Sequence, residues 1–407
     1  MPQVSAPSAG QLLQLVRQGR ARTRRDLMEL TGLARSTVAQ RVEQLVGAGY
    51  LREGGVDVSS GGRRPNLLRI DEGSAVVLAA HLGATHGRAA VVDLAGRTLA
   101  ESAGRLNVAD GAEPTLAWAT SRFHTLLAEA GRSMVEVCGV GVGLPCPIDQ
   151  RTGRVIPTPI VAGWHDHDVV STLSAQFPGP IVADNDANLM ALGEFTASEP
   201  GTATLVLVKV GTGIGAGIVE EGRVLHGAGG AAGEIGHIRL RGYDDVVCVC
   251  GSRGCLAAVA GGAALARDLT RELAEESDAA GRESVSGVLE TADVVRLVNA
   301  GDPAAVRRTR EAGLVLGEVI ATLVSVTNPG VLIVSGGLAR TGEHLLSGIR
   351  EVVYRVAQNR STRGLRISEG LLGERAGVIG AASMVVDRVL AAEAVDARIA
   401  ARRGPTG

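Results

Sequence analysis

Three cysteines fall within eight residues, Cys248-Val-Cys250-Gly-Ser-Arg-Gly-Cys255, behind the segment Glu234-Ile-Gly-His237. Thiolates at this density beside an imidazole supply the four ligands of a tetrahedral Cys₃His zinc site. Gly251 and Gly254 let the loop fold back so that Cys250 and Cys255 reach one ion. Two other readings compete: three reduced core thiols with a satisfied histidine, or a disulfide, which would leave an odd thiol. A zinc knot here would fix Glu234 and His237 beside whatever the loop overhangs.

A second polar run, Asp184-Asn185-Asp186, closes an apolar strand and precedes a helix carrying Leu189, Met190 and Leu192. Helix capping accounts for one Asp or Asn at such a place, but not for three in succession. A carboxylate with an adjacent amide at a strand end can hold a sugar hydroxyl and act as general base toward it. Asn185 and Asp186 are therefore candidate ligand contacts.

The elements that must position these residues are read from periodicity. Residues 75–103 predict three strands joined by tight turns at Gly83-Ala84-Thr85 and Leu94-Ala95-Gly96. A helix from about Pro114 to Ala130 and the apolar strand VEVCGVGVGLP follow. Residues 203–225 repeat the theme in TLVLVKV, GTGIGAGIV and GRVLH, and a later strand, VLIVSGG, precedes helices around 341–357 and 376–393. This β-β-β-α-β order, used twice, predicts two α/β lobes with a cleft between them. The GTGIG turn alone is weak evidence, since glycines between strands are more often plain hairpin turns than phosphate cradles. The matching turn at Gly83 gives it weight.

The first seventy residues differ in kind. They hold eleven Arg, no Lys and five acids, a balance of +6 in a chain of net charge -2. Leu12, Leu13, Leu15 and Val16 mark a helix ending near Gly19. Thr23 caps a second helix whose Leu27 and Leu30 face inward, and Thr31-Gly32-Leu33 turns into a third. In that third helix Val38, Val42, Leu45 and Val46 are read as buried. Arg35, Ser36, Thr37, Gln40 and Arg41 are then free for base edges and phosphates in a major groove. The following segment reads as a hairpin, the wing of a winged helix, with Arg63 and Arg64 at its tip for the backbone or minor groove. A small helical protein-docking module is the other reading of this segment. Helix-turn-helix proteins pair their recognition helices across the duplex, which predicts a homodimer or homotetramer on a palindromic operator.

At 407 residues the chain predicts two to three domains. Apolar residues make up 45% of it and aromatics 2%, so packing rests on aliphatic side chains and Gly. No uninterrupted apolar run is long enough to span a bilayer, and MPQVSAPSAG lacks a signal-peptide layout. A cytoplasmic protein with no membrane partner is expected.

Taken together, the motifs resemble the ROK family of repressors, open reading frames and sugar kinases over nearly the whole chain. The motifs are His237 with CVCGSRGC, DNDAN at 184–188, EIGH at 234–237, HLGATHG at 81–87, GTGIG at 211–215 and VSGG at 334–337. The resemblance implies an actin-like, hexokinase-like α/β body of two lobes behind an amino-terminal winged helix-turn-helix. The expected division is a DNA-binding domain at 1–70 and a first lobe at 71–183 completed by the helix 376–393. A second lobe at 184–375 carries the zinc loop, and residues 394–407 read as a frayed helix and tail. The resemblance also implies that Asn185, Asp186, Glu234 and His237 bind sugar hydroxyls, Asp186 matching the kinases' base. Structural zinc would be held by His237, Cys248, Cys250 and Cys255.

Departures from the kinase pattern separate regulator from enzyme. The kinases carry Asp-x-Gly-Gly-Thr where this chain has His81-Leu-Gly83-Ala84-Thr85. Histidine is a poor ligand for Mg²⁺, and Ala84 adds a methyl group where backbone must approach phosphate. Little or no kinase activity is expected. Ala257 replaces the usual Glu, and Ile160 stands near the place of the usual Asn ahead of Gly163-Trp164, which bears on ligand identity. The leading expectation is a repressor of carbohydrate genes that responds to a sugar or sugar phosphate. The others are a sugar kinase with an appended DNA module and a DNA-binding protein controlled by a partner through a decayed pocket.

Overall fold

The computed structural model describes residues 6–56, 66–157, 163–279 and 288–402. Its amino-terminal part comprises α1 (Ala9–Arg17), α2 (Arg24–Thr31), α3 (Arg35–Gly47) and the antiparallel pair β1 (Leu51–Val56) and β2 (Asn66–Ile70). Thr23 caps α2: its hydroxyl accepts from the Asp26 N–H at 3.1 Å, and the Asp26 carboxylate accepts from the Thr23 N–H at 3.0 Å. Leu12, Leu13, Leu27, Val38, Val42 and Leu45 are buried as their spacing predicts. Leu30 and Val46, read as inward-facing, are exposed. Leu30 lies in the last turn of α2, where Gly32 at φ 68° turns the chain away, and Val46 is rotated about 100° from Leu45.

The body holds two five-stranded sheets of one topology. The first uses β3 (Val76–Leu82), β4 (His86–Asp93), β5 (Thr98–Arg105), β6 (Val137–Leu144) and, after a short hairpin of β7 (Ile148–Asp149) and β8 (Arg154–Val155), β9 (Ile181–Asn185). Its order is β5-β4-β3-β6-β9. The second uses β10 (Thr204–Val210), β11 (Ile214–Glu220), β12 (Arg223–Val224), β13 (Val331–Ser335) and β14 (Arg366–Glu369), in the order β12-β11-β10-β13-β14. In each, an antiparallel meander is extended by two parallel strands. Every residue of β6 and β13 is buried, as central parallel strands require, whereas edge strand β5 alternates. This is the actin-like, two-lobed α/β fold with an amino-terminal winged helix-turn-helix.

Helices α4 (Ala112–Glu129) and α5 (Val169–Ser174) cover the first sheet. Between the sheets runs α6 (Asp186–Ser198). The second lobe is covered by α7 (Leu256–Ala260), α8 (Gly262–Ala279), α9 (Thr291–Asn299), α10 (Pro303–Thr327), α11 (Glu343–Val356) and the short α12 (Asn359–Thr362). The chain then returns in α13 (Ala376–Val389), which packs on β3, β6 and α6, while α6 packs on β10 and β11. The two helices approach so closely that a Cβ on Gly380 would meet the Leu189 carbonyl oxygen at 1.8 Å. Only glycine fits there.

The expected tail is in large part a helix, α14 (Ala392–Arg402), on which Val395 and Ile399 are buried. Their i, i+4 spacing forms an apolar stripe against α1. The same apolar cluster contains Leu12, Leu13, Val38 and Val42 of the winged helix, Val385 and Val389 of α13, and Val395. Among the described residues no helix is long and apolar enough to cross a membrane.

Candidate ligand cleft, metal centre and nucleic-acid face

Strand β9 ends where helix α6 begins, and this junction delivers the Asp-Asn-Asp run between the two sheets. Asp184 is buried and fully engaged. Its Oδ1 accepts from the Asn185 N–H at 2.7 Å and the Asn188 side chain at 2.9 Å, and its Oδ2 lies 2.6 Å from His226 Nε2. Asn185 caps α6, its Oδ1 accepting from the Ala187 N–H at 2.9 Å, while its Nδ2 donates to the Cys146 carbonyl at 3.4 Å. The capping role weighed from sequence is thus present in Asn185, and its amide retains one N–H for another partner.

Asp186, 3% exposed, forms an ion pair with the Lys209 ammonium from β10. Glu234 precedes a short turn, Ile235–His237, packed against β11. Burial pushes the Glu234 carboxyl above its ordinary range, with His237 opposing and Asp186 reinforcing the shift. Burial likewise pushes the Cys146 thiol up, Asp186 and Glu234 adding to the effect. Asn185, Asp186, Glu234 and Cys146 therefore share one neighbourhood, where carboxylate, amide and imidazole groups can accept from and donate to hydroxyls.

Lys209, His226 and Cys146 were not read from sequence as members of this cleft. Lys209 stood in an apolar strand beside the GTGIG turn, which drew attention to its glycines rather than to the lysine. Its polarity there was the available signal.

In the first glycine turn, the Gly83 N–H donates to the His86 carbonyl at 2.9 Å; in the second, the Gly211 N–H donates to that of Gly213 at 2.9 Å. His81 lies against the first turn of α13: a Cβ on Gly377 would stand 1.9 Å from its Nδ1. That nitrogen is buried without a hydrogen-bond partner. Desolvation lowers the His81 pKa from 6.5 to about 4, Asp186 opposing it and Lys209 and Arg88 adding to it, so the ring is neutral near pH 7. Ala84 accepts from the Val108 N–H at 3.1 Å. Ala257 lies beside Gly236, Trp164 is buried with its indole N–H on the Val108 carbonyl at 2.9 Å, and Ile160 lies outside the described residues.

The metal-ligand candidates converge. The donor atoms of His237, Cys248, Cys250 and Cys255 all lie within 4.8 Å of one another. Cys248 Sγ is 3.7 Å from His237 Nδ1, and Cys250 Sγ is 3.7 Å from Cys255 Sγ. A tetrahedron with zinc–sulfur bonds of roughly 2.3 Å has edges of roughly 3.8 Å. The cluster is therefore at ligand spacing and fits a metal ion. Gly251 and Gly254 hold φ of 84° and 71° and turn the loop back as expected. Burial works against the Cys250 thiolate, but hydrogen bonds from Ser252 and Cys248 outweigh it and bring its pKa to about 6. With Nδ1 facing the thiols, the Nε2 edge of His237 is left for another partner.

On α3, Arg35, Ser36 and Gln40 are exposed, and Thr37 and Arg41 are partly so. No side chain caps the helix at Ala34, so its first-turn N–H groups add to a surface suited to phosphate. Arg63 and Arg64 lie outside the described residues.

Residues 77–388 match the ROK family model. A xylose repressor of Caldicellulosiruptor bescii is 28% identical over 371 residues, 90% of this chain and 92% of that one. A glucokinase of Halalkalibacterium halodurans is 35% identical over 257 residues, 62% of this chain and 78% of that one. A crystal structure of a ROK family transcriptional regulator, a homolog of the E. coli MLC protein, superimposes with a TM-score of 0.77 at 24% identity. It covers 96% of this chain and 98% of that one.

Proposed function

Because the chain belongs to the ROK family, we propose that it is a sugar-responsive DNA-binding transcriptional regulator, a repressor of carbohydrate-metabolism genes. Residues 1–70 read the operator through Arg35, Ser36, Thr37, Gln40 and Arg41 on α3, with Arg63 and Arg64 on the wing. Residues 71–183 with α13, and residues 184–375, form the lobes around the ligand. Asn185, Asp186, Glu234 and His237 bind the hydroxyls of a sugar. His237, Cys248, Cys250 and Cys255 hold a structural zinc ion that fixes the EIGH segment over the cleft. The operator is read by a homodimer or homotetramer.

The observation that supports this reading is that one helix packs both beside the cleft and on the first helix of the winged domain. The first turn of α13 underlies His81, and its last turns receive Arg17 on Asp387 and Gln14 on the Leu390 carbonyl. A ligand that favours one lobe arrangement then biases the winged helix in proportion to its differential affinity. The full-length match to a xylose repressor supports the same reading.

Gel mobility of operator DNA with and without D-xylose, D-glucose and other monosaccharides tests it. One sugar should change apparent affinity by roughly fivefold or more. No change with any sugar removes the sensing role, and no DNA binding at low ionic strength removes the regulator.

The glucokinase relative favours a second reading, a sugar kinase with an appended DNA module. Neutral His81 and the engagement of Asp186 by Lys209 argue against it, since phosphoryl transfer depends on metal, positioning and a free base. Appreciable ADP release with any of these sugars would establish that reading instead.

A further inference from the structure

Lys209 is the only lysine in a chain with 41 Lys and Arg residues in total. It stands at the end of β10, mostly buried, and its ammonium meets the Asp186 carboxylate. Its Cε lies 3.6 Å from where a Cβ on Gly211 would be, so the charge sits at the mouth of the GTGIG turn. His81, the other basic group beside Asp186, is neutral. A buried carboxylate needs a partner, and here the protein itself supplies one from the opposite sheet.

We propose that Lys209 is the specificity-determining cation of this cleft. Standing beside Asp186 as a fixed charge, it lets the cleft take an uncharged polyol with no divalent ion and disfavours the phosphorylated form. The inference rests on the sugar-pocket reading above and narrows its ligand class. An uncharged hydroxyl can donate to Asp186 without disturbing the ion pair. A phosphate monoester would bring a dianion up to Asp186 and Glu234 and would have to draw Lys209 away from its partner. A divalent ion at Asp186 would meet the ammonium at contact distance, where like charges repel strongly.

Protein grown on ¹³C-lysine gives one Cε resonance, because there is one lysine. Manganese(II), alone or with ATP, should leave that resonance sharp; paramagnetic broadening would place a metal beside Asp186 and overturn the proposal. By calorimetry, D-xylose or D-glucose should bind wild type more tightly than its terminal phosphate ester does. Lys209→Met should weaken the neutral sugar by roughly tenfold or more, and Lys209→Arg, which keeps the charge, by no more than roughly threefold. Lys209→Gln serves where Met compromises folding. Unchanged sugar affinity without the charge, or preference for the ester, overturns the proposal. If no sugar binds wild type, the pocket reading fails, and the manganese result alone decides whether Lys209 keeps metal out.

Discussion

His81 stands near the end of β3, just before the first glycine turn, and its surroundings set its chemistry. Its Nδ1 is pressed against Gly377 and has no hydrogen-bond partner, and desolvation holds its pKa near 4. In the unfolded chain the same ring titrates near 6.5. Between these values the unfolded state binds more protons, so this contribution to stability is complete above pH 6.5 and is lost as pH falls toward 4. The loss attributable to His81 reaches about 3 kcal/mol. Urea unfolding of wild type and His81→Gln across pH 4.5–7 checks this. The difference between the two should depend on pH, and a constant difference would contradict the assignment.

At the scale of elements, the loop that carries the candidate metal ligands is tied down at both ends. The Leu240 N–H donates to the Gly254 carbonyl at 2.8 Å, the Leu256 N–H donates to the Ile238 carbonyl at 2.9 Å, and Leu256 at the start of α7 is buried in the second-lobe core. Metal analysis should find about one zinc per chain. His237→Ala should lower that content, lower the thermal midpoint and weaken the sugar response. Full zinc occupancy without His237 would mean that the three thiolates suffice.

Most of the strands, the glycine turns and the winged helix were legible because their signals are local: alternation, tight turns and a capping threonine. Other features were not, among them the edge strand β14 and the helices α7 to α9. The long α10 was left unread although Gly301-Asp302-Pro303 marks its start with an N-cap and a first-turn proline, because its Arg-rich first half masks the apolar stripe. Helix α14 has two apolar side chains on its stripe, which identify nothing until α1 is seen to cover them. Lys209 matters only through Asp186, and that pairing joins strands of different sheets. The carboxylates, the cysteines and His237 were legible because each belongs to a dense cluster of chemistry-bearing residues.

Across the whole molecule, α13 is the shared member of two neighbourhoods, with Gly377 at the cleft and Asp387 at the winged helix. Arg17→Ala removes a partly exposed ion pair, so its effect on overall stability should be small. Its effect on coupling should be larger. The ratio of operator affinities with and without sugar should fall by roughly twofold or more while sugar affinity itself is unchanged. An unaltered ratio would show that the signal travels by another route.

The Gly10 N–H donates to the Asp396 carboxylate, a contact spanning 386 positions of sequence, and Val395 shares a core with Leu12 and Leu13. The amino-terminal winged helix is therefore not a self-contained bead strung ahead of the two-lobed body. During synthesis α1 can pack on α3 and β2, but the part of its face that meets α14 stays uncovered until α14 has left the ribosome. Prematurely terminated chains consequently lack part of the packing on the amino-terminal domain, and on the proposed function operators would be occupied chiefly by molecules whose lobes are complete.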